Sequence, residues 1–175
     1  MAELDHKLSN RAESLYLILA ALFIASLVAG NLTFQKFFSW QLFDWYTFEL
    51  SVGILPYPIT FLITDIISEI YGKKRANKVV IAGLFATIFV LLIVSLANVA
   101  PATDWSPIDD KTFSNVFGLT GVAVSASMIA YLLAQLVDIR IYHFWKNLTD
   151  GKHLWLRNNA STMTSQFVDT ASVLL

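Results

Sequence analysis

Two carboxylates, Asp65 and Glu69, stand one helical turn apart in the run PYPITFLITDIISEIYGKKRANK, from Pro56 to Lys78. Residues at i and i+4 share a helical face, so both acids project to one side. The rest of the run is rich in Ile, Leu and Phe. Pro56 and Pro58 mark a helix start, because proline's missing N–H would be unpaired in a first turn anyway. Gly72 ends the helix, and Lys73, Lys74, Arg75 and Lys78 follow at once. An apolar helix with acids inside and a basic run at its end reads as a membrane span with a functional polar stripe. At 3.6-residue periodicity the stripe takes in Thr64, Asp65, Ser68, Glu69 and Gly72. Ile63, Ile66, Ile67 and Ile70 fall outside it, where lipid or a neighbouring helix would cover them.

Other apolar runs extend this reading to the whole chain. Only 14% of the residues are charged, where a soluble domain has about 25%. Crossing about 30 Å of hydrocarbon takes roughly 20 apolar residues. Spans are expected at 14–33, 54–71, 79–99, 116–140 and 160–175, within one transmembrane domain over 1–175. The fold class is all-α, a polytopic bundle of transmembrane helices. From Ala160 the last run gives about 24 Å of helix at 1.5 Å per residue, so span five is expected to be truncated. Ala21, Ala25 and Ala29, and likewise Ala82, Gly83 and Ala86, form small-residue stripes suited to close helix approach. Between spans one and two, Asp44 and Glu49 break an aromatic stretch. Trp40, Trp45 and Tyr46 there suit a membrane–water interface, on a short hairpin or re-entrant piece. Ala102–Asn115 reads as an exposed loop without EF-hand spacing, and 144–157 as a basic loop turning at Gly151.

Several function classes are excluded. The net charge of −1 gives no basic field for nucleic acid. Cysteine is absent, so thiolate metal sites and cysteine nucleophiles are too. His6, His143 and His153 lack ligand spacing, so no metal is expected. There is neither a phosphate-binding loop nor a catalytic triad pattern. The chain is not expected to be an enzyme or to carry a cofactor. The first apolar run lacks a cleavage pattern and reads as a retained span. Ten of the twelve basic residues fall before span one or after spans two and four; Lys36 and Lys111 fall on the other side. This bias predicts a cytoplasmic N-terminus.

Two later spans also carry acids. Gln135 precedes Asp138 by three residues, and Gln166 precedes Asp169 likewise, so each amide lies beside its carboxylate. Tyr131, Gln135, Asp138 and Tyr142 share one face, Thr162, Gln166 and Asp169 another, and Arg140 points away. Asp65, Glu69, Asp138 and Gln166 are placed toward the basic end of the bundle. An ionised carboxylate in hydrocarbon costs at least about 3 kcal/mol. Three helices carrying that cost point to one shared polar cavity. The competing reading is interhelical glue, with Gln and Asp clamping helices together. Paired amide and carboxylate groups match the N1–H, exocyclic amine and carbonyl edge of a guanine-like base, and Tyr or Phe would stack on its ring. Residue chemistry alone ends at a small polar solute with N–H donors.

The segment YPITFLITDIISEIYGKKRA, Tyr57 to Ala76, closely resembles the hallmark segment of bacterial queuosine precursor transporters, within the vitamin uptake transporter family. LAQLVDIRIYHFWK and GKHLWLRNNASTMTSQFVDT are similar to that family's later segments. The resemblance implies a multi-pass inner-membrane importer of 7-deazaguanine bases, 7-cyano- or 7-aminomethyl-7-deazaguanine. It implies a six-span plan like the membrane substrate-binding subunits of energy-coupling-factor importers, continuing past Leu175, with room for a homo-oligomer. By matched motif it assigns Asp65, Glu69, Gln135, Asp138, Arg157, Asn158, Ser161, Gln166 and Asp169 to substrate binding. The alternative is a binding subunit for another vitamin-like polar solute that needs a separate ATPase module.

Overall fold

A computed structural model describes residues 2–43, 45–118, 120–150 and 152–174. Helix α1 (Ala2–Thr33) leads into a hairpin of β1 (Phe37–Phe43) and β2 (Tyr46–Ser51), then a 3-10 turn at Val52–Ile54. Helices α2 (Tyr57–Tyr71), α3 (Lys73–Val99), α4 (Asp110–Phe117), α5 (Thr120–Leu148) and α6 (Leu154–Leu174) follow. The chain is mostly helical, as the all-α expectation has it, and the short hairpin expected between spans one and two is an antiparallel pair registered Phe37 opposite Ser51. It forms where short aromatic runs flank a turn. Among the described residues, Ser9–Thr33, Val52–Tyr71 and Lys73–Val99 are long and apolar enough to cross a membrane.

The helix boundaries differ from the sequence expectation in a consistent way. Polar ends that read as loops are helical. Lys73, Lys74, Arg75 and Lys78 lie in the first turns of α3. The 102–115 segment contains the start of α4, and Val116 belongs to α4, not to the next span. Asp109 caps α4 by accepting from the Thr112 N–H at 2.8 Å. Hydrogen bonds from Thr112 hold the Asp109 carboxyl below its usual range. Helix α5 runs through the aromatic segment to Leu148, and α6 begins six residues before Ala160. Asp44 and Gly151 lie outside the described residues.

Gly72 turns the chain sharply between α2 and α3 with φ at 81°, a backbone conformation that glycine adopts without a Cβ clash. At this end of the bundle Arg75 pairs with Glu13 at 2.6 Å, and the Tyr71 hydroxyl donates to the Ala12 carbonyl. The core joins Phe23 and Leu27 of α1 to Phe61, Ile63 and Ile67 of α2 and to Val79 and Val80 of α3. Gly83 lets Phe23 in; a Cβ there would lie 2.7 Å from the Phe23 ring. The alanine stripe of α1 does not pack: Ala21, Ala25 and Ala29 are exposed. Bulky Phe23 and Leu27 bury more apolar area per position than alanine, and that decides which face turns inward.

Candidate functional site

The chain order sets two ends. The N-terminal part of α1, the α2–α3 turn and the α5–α6 turn share the basic end. The hairpin, the start of α2 and the close of α6 share the opposite end. Beside the hairpin a cavity of about 490 Å³ opens, a volume typical of small-molecule sites. Asn31, Tyr57, Thr60, Tyr131, Gln166 and Asp169 supply much of its polar and aromatic lining. The prolines position Tyr57: Pro56 caps α2 and Pro58 occupies its first turn, so the ring between them is held at the helix entrance. The Tyr57 hydroxyl donates to Asp169 Oδ2, closing α2 onto α6. Tyr57 and Tyr131 meet edge to face with centroids 5.4 Å apart. The Asn31 amide nitrogen is enclosed without a protein partner among the described residues.

A polar column continues from the cavity toward the basic end. Gln135 donates to the Tyr131 hydroxyl at 2.8 Å and to Thr60 Oγ1 at 3.4 Å, and accepts from Thr64 at 3.2 Å. Below it, Ser165 donates to Asp138 Oδ1 at 3.1 Å. Thr64, Asp65, Ser68, Gln135, Asp138, Ser161 and Ser165 are all buried. The column ends at Glu69, whose Oε2 meets Tyr142 at 2.7 Å, Lys146 at 2.9 Å and Arg157 at 2.8 Å. Arg157 is 2% exposed and lies over the Tyr142 ring.

Two of the sequence-predicted residues, Gln166 and Asp169, line the cavity. Gln135, Asp65, Asp138 and Ser161 lie in the column beneath it, and Glu69 and Arg157 pair at the basic end. Asn158 is half-buried beside Arg157, with its Oδ1 unpartnered among the described residues. The inward face of Tyr131, Gln135, Asp138 and Tyr142 is as read from the sequence, and Arg140 is exposed. Gln166 sits at the cavity end, not at the basic end as expected, because the early start of α6 carries it about 18 Å along the helix. Gln135 bonds across to α2 instead of pairing with Asp138. Asn31, Tyr57, Thr60 and Ser165 were missed. Ser165 continues the Arg157, Ser161 spacing by four, which is the one signal that marks it.

The family model described as putative vitamin uptake transporter matches residues 51–175. The chain is similar to a "Probable queuosine precursor transporter" of Bacillus subtilis (strain 168), 30% identical over 121 residues, covering 69% of this chain and 52% of the relative. It is similar to the "Queuosine precursor transporter" of Escherichia coli (strain K12), 25% identical over 123 residues, covering 70% and 52%. A "Probable queuosine precursor transporter" of Haemophilus influenzae is 25% identical over 125 residues, covering 71% and 50%. The chain thus spans about half the length of the curated relatives it matches. No solved structure matches it. With its apolar helices, this kinship to transporters makes it an integral membrane protein.

Proposed function

Because the chain belongs to the putative vitamin uptake transporter family, we propose that the complete protein imports 7-deazaguanine precursors of queuosine across a bacterial inner membrane. The observation that carries this reading is the cavity, which offers a carboxylate, two amides and two tyrosine rings in one small volume. Asp169 and Gln166 accept from the N1–H and exocyclic amine edge, the unpartnered Asn31 amide donates to the carbonyl, and the Tyr57 and Tyr131 rings pack on the base. Gln135 supports this set through Tyr131 and Thr60. Asp65, Asp138 and Ser161 form its floor, and Glu69, Arg157 and Asn158 brace the inner end. The test is a bacterium that neither makes nor imports the precursors. The full-length protein is expected to restore queuosine in its transfer RNA at low precursor concentration. Adenine lacks the matching donors and leaves polar groups unpaired at about 1–3 kcal/mol, so it should compete about tenfold worse or weaker still. No restoration with the protein verified in the membrane would overturn the assignment.

In this reading α1, α2 with its 3-10 turn, α3, α5 and α6 are five spans of one domain, in the six-span plan of energy-coupling-factor substrate subunits. The N-terminus is cytoplasmic and the cavity opens to the periplasm. The ten-to-two basic asymmetry supports this orientation. Single cysteines are informative in this cysteine-free chain. A membrane-impermeant thiol reagent is expected to label a cysteine at Asp109 in intact cells and to spare one at Lys152; the reverse pattern would invert the topology.

A further inference from the structure

Two buried carboxylates stand in the column beneath the cavity. Asp65 comes from α2 and Asp138 from α5; both are buried, and the Thr64–Gln135 and Tyr142–Glu69 hydrogen bonds bracket them at one level of the column. Ser165 donates to Asp138 Oδ1 at 3.1 Å, and the buried Ser161 lies one turn before Ser165 on α6. Among the described residues, Asp65 Oδ1 and Asp138 Oδ2 have no protein partner, nor does the fully enclosed Ser68 hydroxyl one turn along α2. An ionised carboxylate only accepts hydrogen bonds. Two such groups buried at one level, each with an unpartnered oxygen, repel as anions and are accommodated by sharing a proton.

Of the surrounding titratable groups, all but His143 are engaged elsewhere; its buried Nε2 has no partner among the described residues. On α2, Tyr57 bonds Asp169 and Glu69 takes Lys146 and Arg157. On α5, Tyr131 bonds Gln135 and Tyr142 bonds Glu69, while His143 lies near Lys146, Lys73 and Glu69. On α6, Arg157 and Asp169 are the charged groups, committed to Glu69 and Tyr57. The buried residues of α3, Ala76, Val79, Val80, Gly83 and Thr87, do not titrate, nor do Phe23 and Leu27 of α1. Thr60, Gln135 and Thr64 lead from the cavity toward the pair by hydrogen bonds.

We propose that the Asp65–Asp138 pair is the proton-carrying site that drives this transporter, taking one proton from the cavity side and releasing it inward with each substrate. The proposal rests on the transporter reading above. At one proton per substrate, a gradient of about one pH unit supports about tenfold accumulation.

The test uses full-length protein in liposomes free of any ATPase, with a pH dye inside and 7-cyano-7-deazaguanine as the probe. Substrate addition is expected to acidify the lumen, and an inward proton gradient to concentrate substrate. Asp65→Asn and Asp138→Asn, in protein that reaches the membrane and melts like the parent, should abolish both. Acidification that persists in both variants, or accumulation driven by a sodium gradient alone, would overturn the proposal. A second reading needs no substrate. The infrared spectrum should show a protonated-carboxyl band that both variants lose, and its absence from the parent protein also overturns the proposal. Failure of the parent protein to move the probe would instead count against the queuosine-precursor reading, and the infrared band would still decide the proton site.

Discussion

Asp169→Asn in the full-length protein is expected to weaken binding and uptake of a 7-deazaguanine by roughly tenfold or more, since hydrogen bonds to charged groups contribute about 1.5–3 kcal/mol. Asp169 lies half-buried on the cavity wall, one turn beyond Gln166, and its carboxylate accepts from the Tyr57 hydroxyl. Asparagine preserves its shape but replaces an acceptor-only, charged group with an amide that also donates. A base edge presenting two N–H donors would then face a donor. The fold should survive, because Asp169 stands outside the core that joins α1, α2 and α3. Tyr57→Phe is the informative control: it keeps the ring against Tyr131, loses one hydroxyl and should be the milder change. The measurements are equilibrium binding in nanodiscs and protein abundance in the membrane. Parent-like affinity would remove Asp169 from the site. A fall in abundance that matches the fall in uptake would make it an interhelical clamp.

Arg157→Met is expected to produce the largest loss of stability in the chain. Its guanidinium is almost wholly enclosed, donates to Tyr142 at 3.2 Å and pairs with Glu69 at 2.8 Å. Breaking a buried ion pair costs about 3–5 kcal/mol, chiefly through the partner left behind. Glu69 is 38% exposed and keeps Lys146, so the low side of that range applies. Arg157→Lys should rescue little, because an ammonium cannot span Tyr142 and Glu69 as a planar fork does. Glu69→Gln should be milder than either. Thermal melting in detergent reads all three, and an unchanged midpoint for Arg157→Met would show that the pair contributes no net stability.

The parts of this architecture legible in the sequence are those where one periodicity dominates. The polar stripe of α2 and the inward face of α5 were visible because acids and amides are rare in apolar helices and cannot be placed at random. Arg140 was visible for the same reason, as a charge out of phase with that face. What stayed hidden was written in commoner residues. Tyr57 sits between two prolines and reads as punctuation, although the helix start they enforce is what aims it at Asp169. Asn31 reads as the polar end of a span, and its meaning comes from the hairpin folding back beside it. The alanine stripe of α1 misled because small residues permit close packing without demanding it; Phe23 and Leu27 had more apolar area to bury. Helix ends were misplaced wherever polar residues continued a helix beyond its apolar run, as at Lys73 and Leu154.

Helix α2 has 15 residues, which makes it about 22 Å long, well short of about 30 Å of hydrocarbon. The 3-10 turn completes the span that begins at Val52, so in the proposed orientation the proline-capped start of α2, and the cavity beside it, lie below the outer end of that span. Water entering that recess brings the outside potential down with it. The membrane voltage then falls across the remaining thickness, through the layer that holds Asp65 and Asp138. A charge crossing only that layer still gathers the full electrical work of crossing the membrane, about 2.3 kcal/mol for each 100 mV. The shortness of one helix thus turns the bundle into a focusing lens for the electric field.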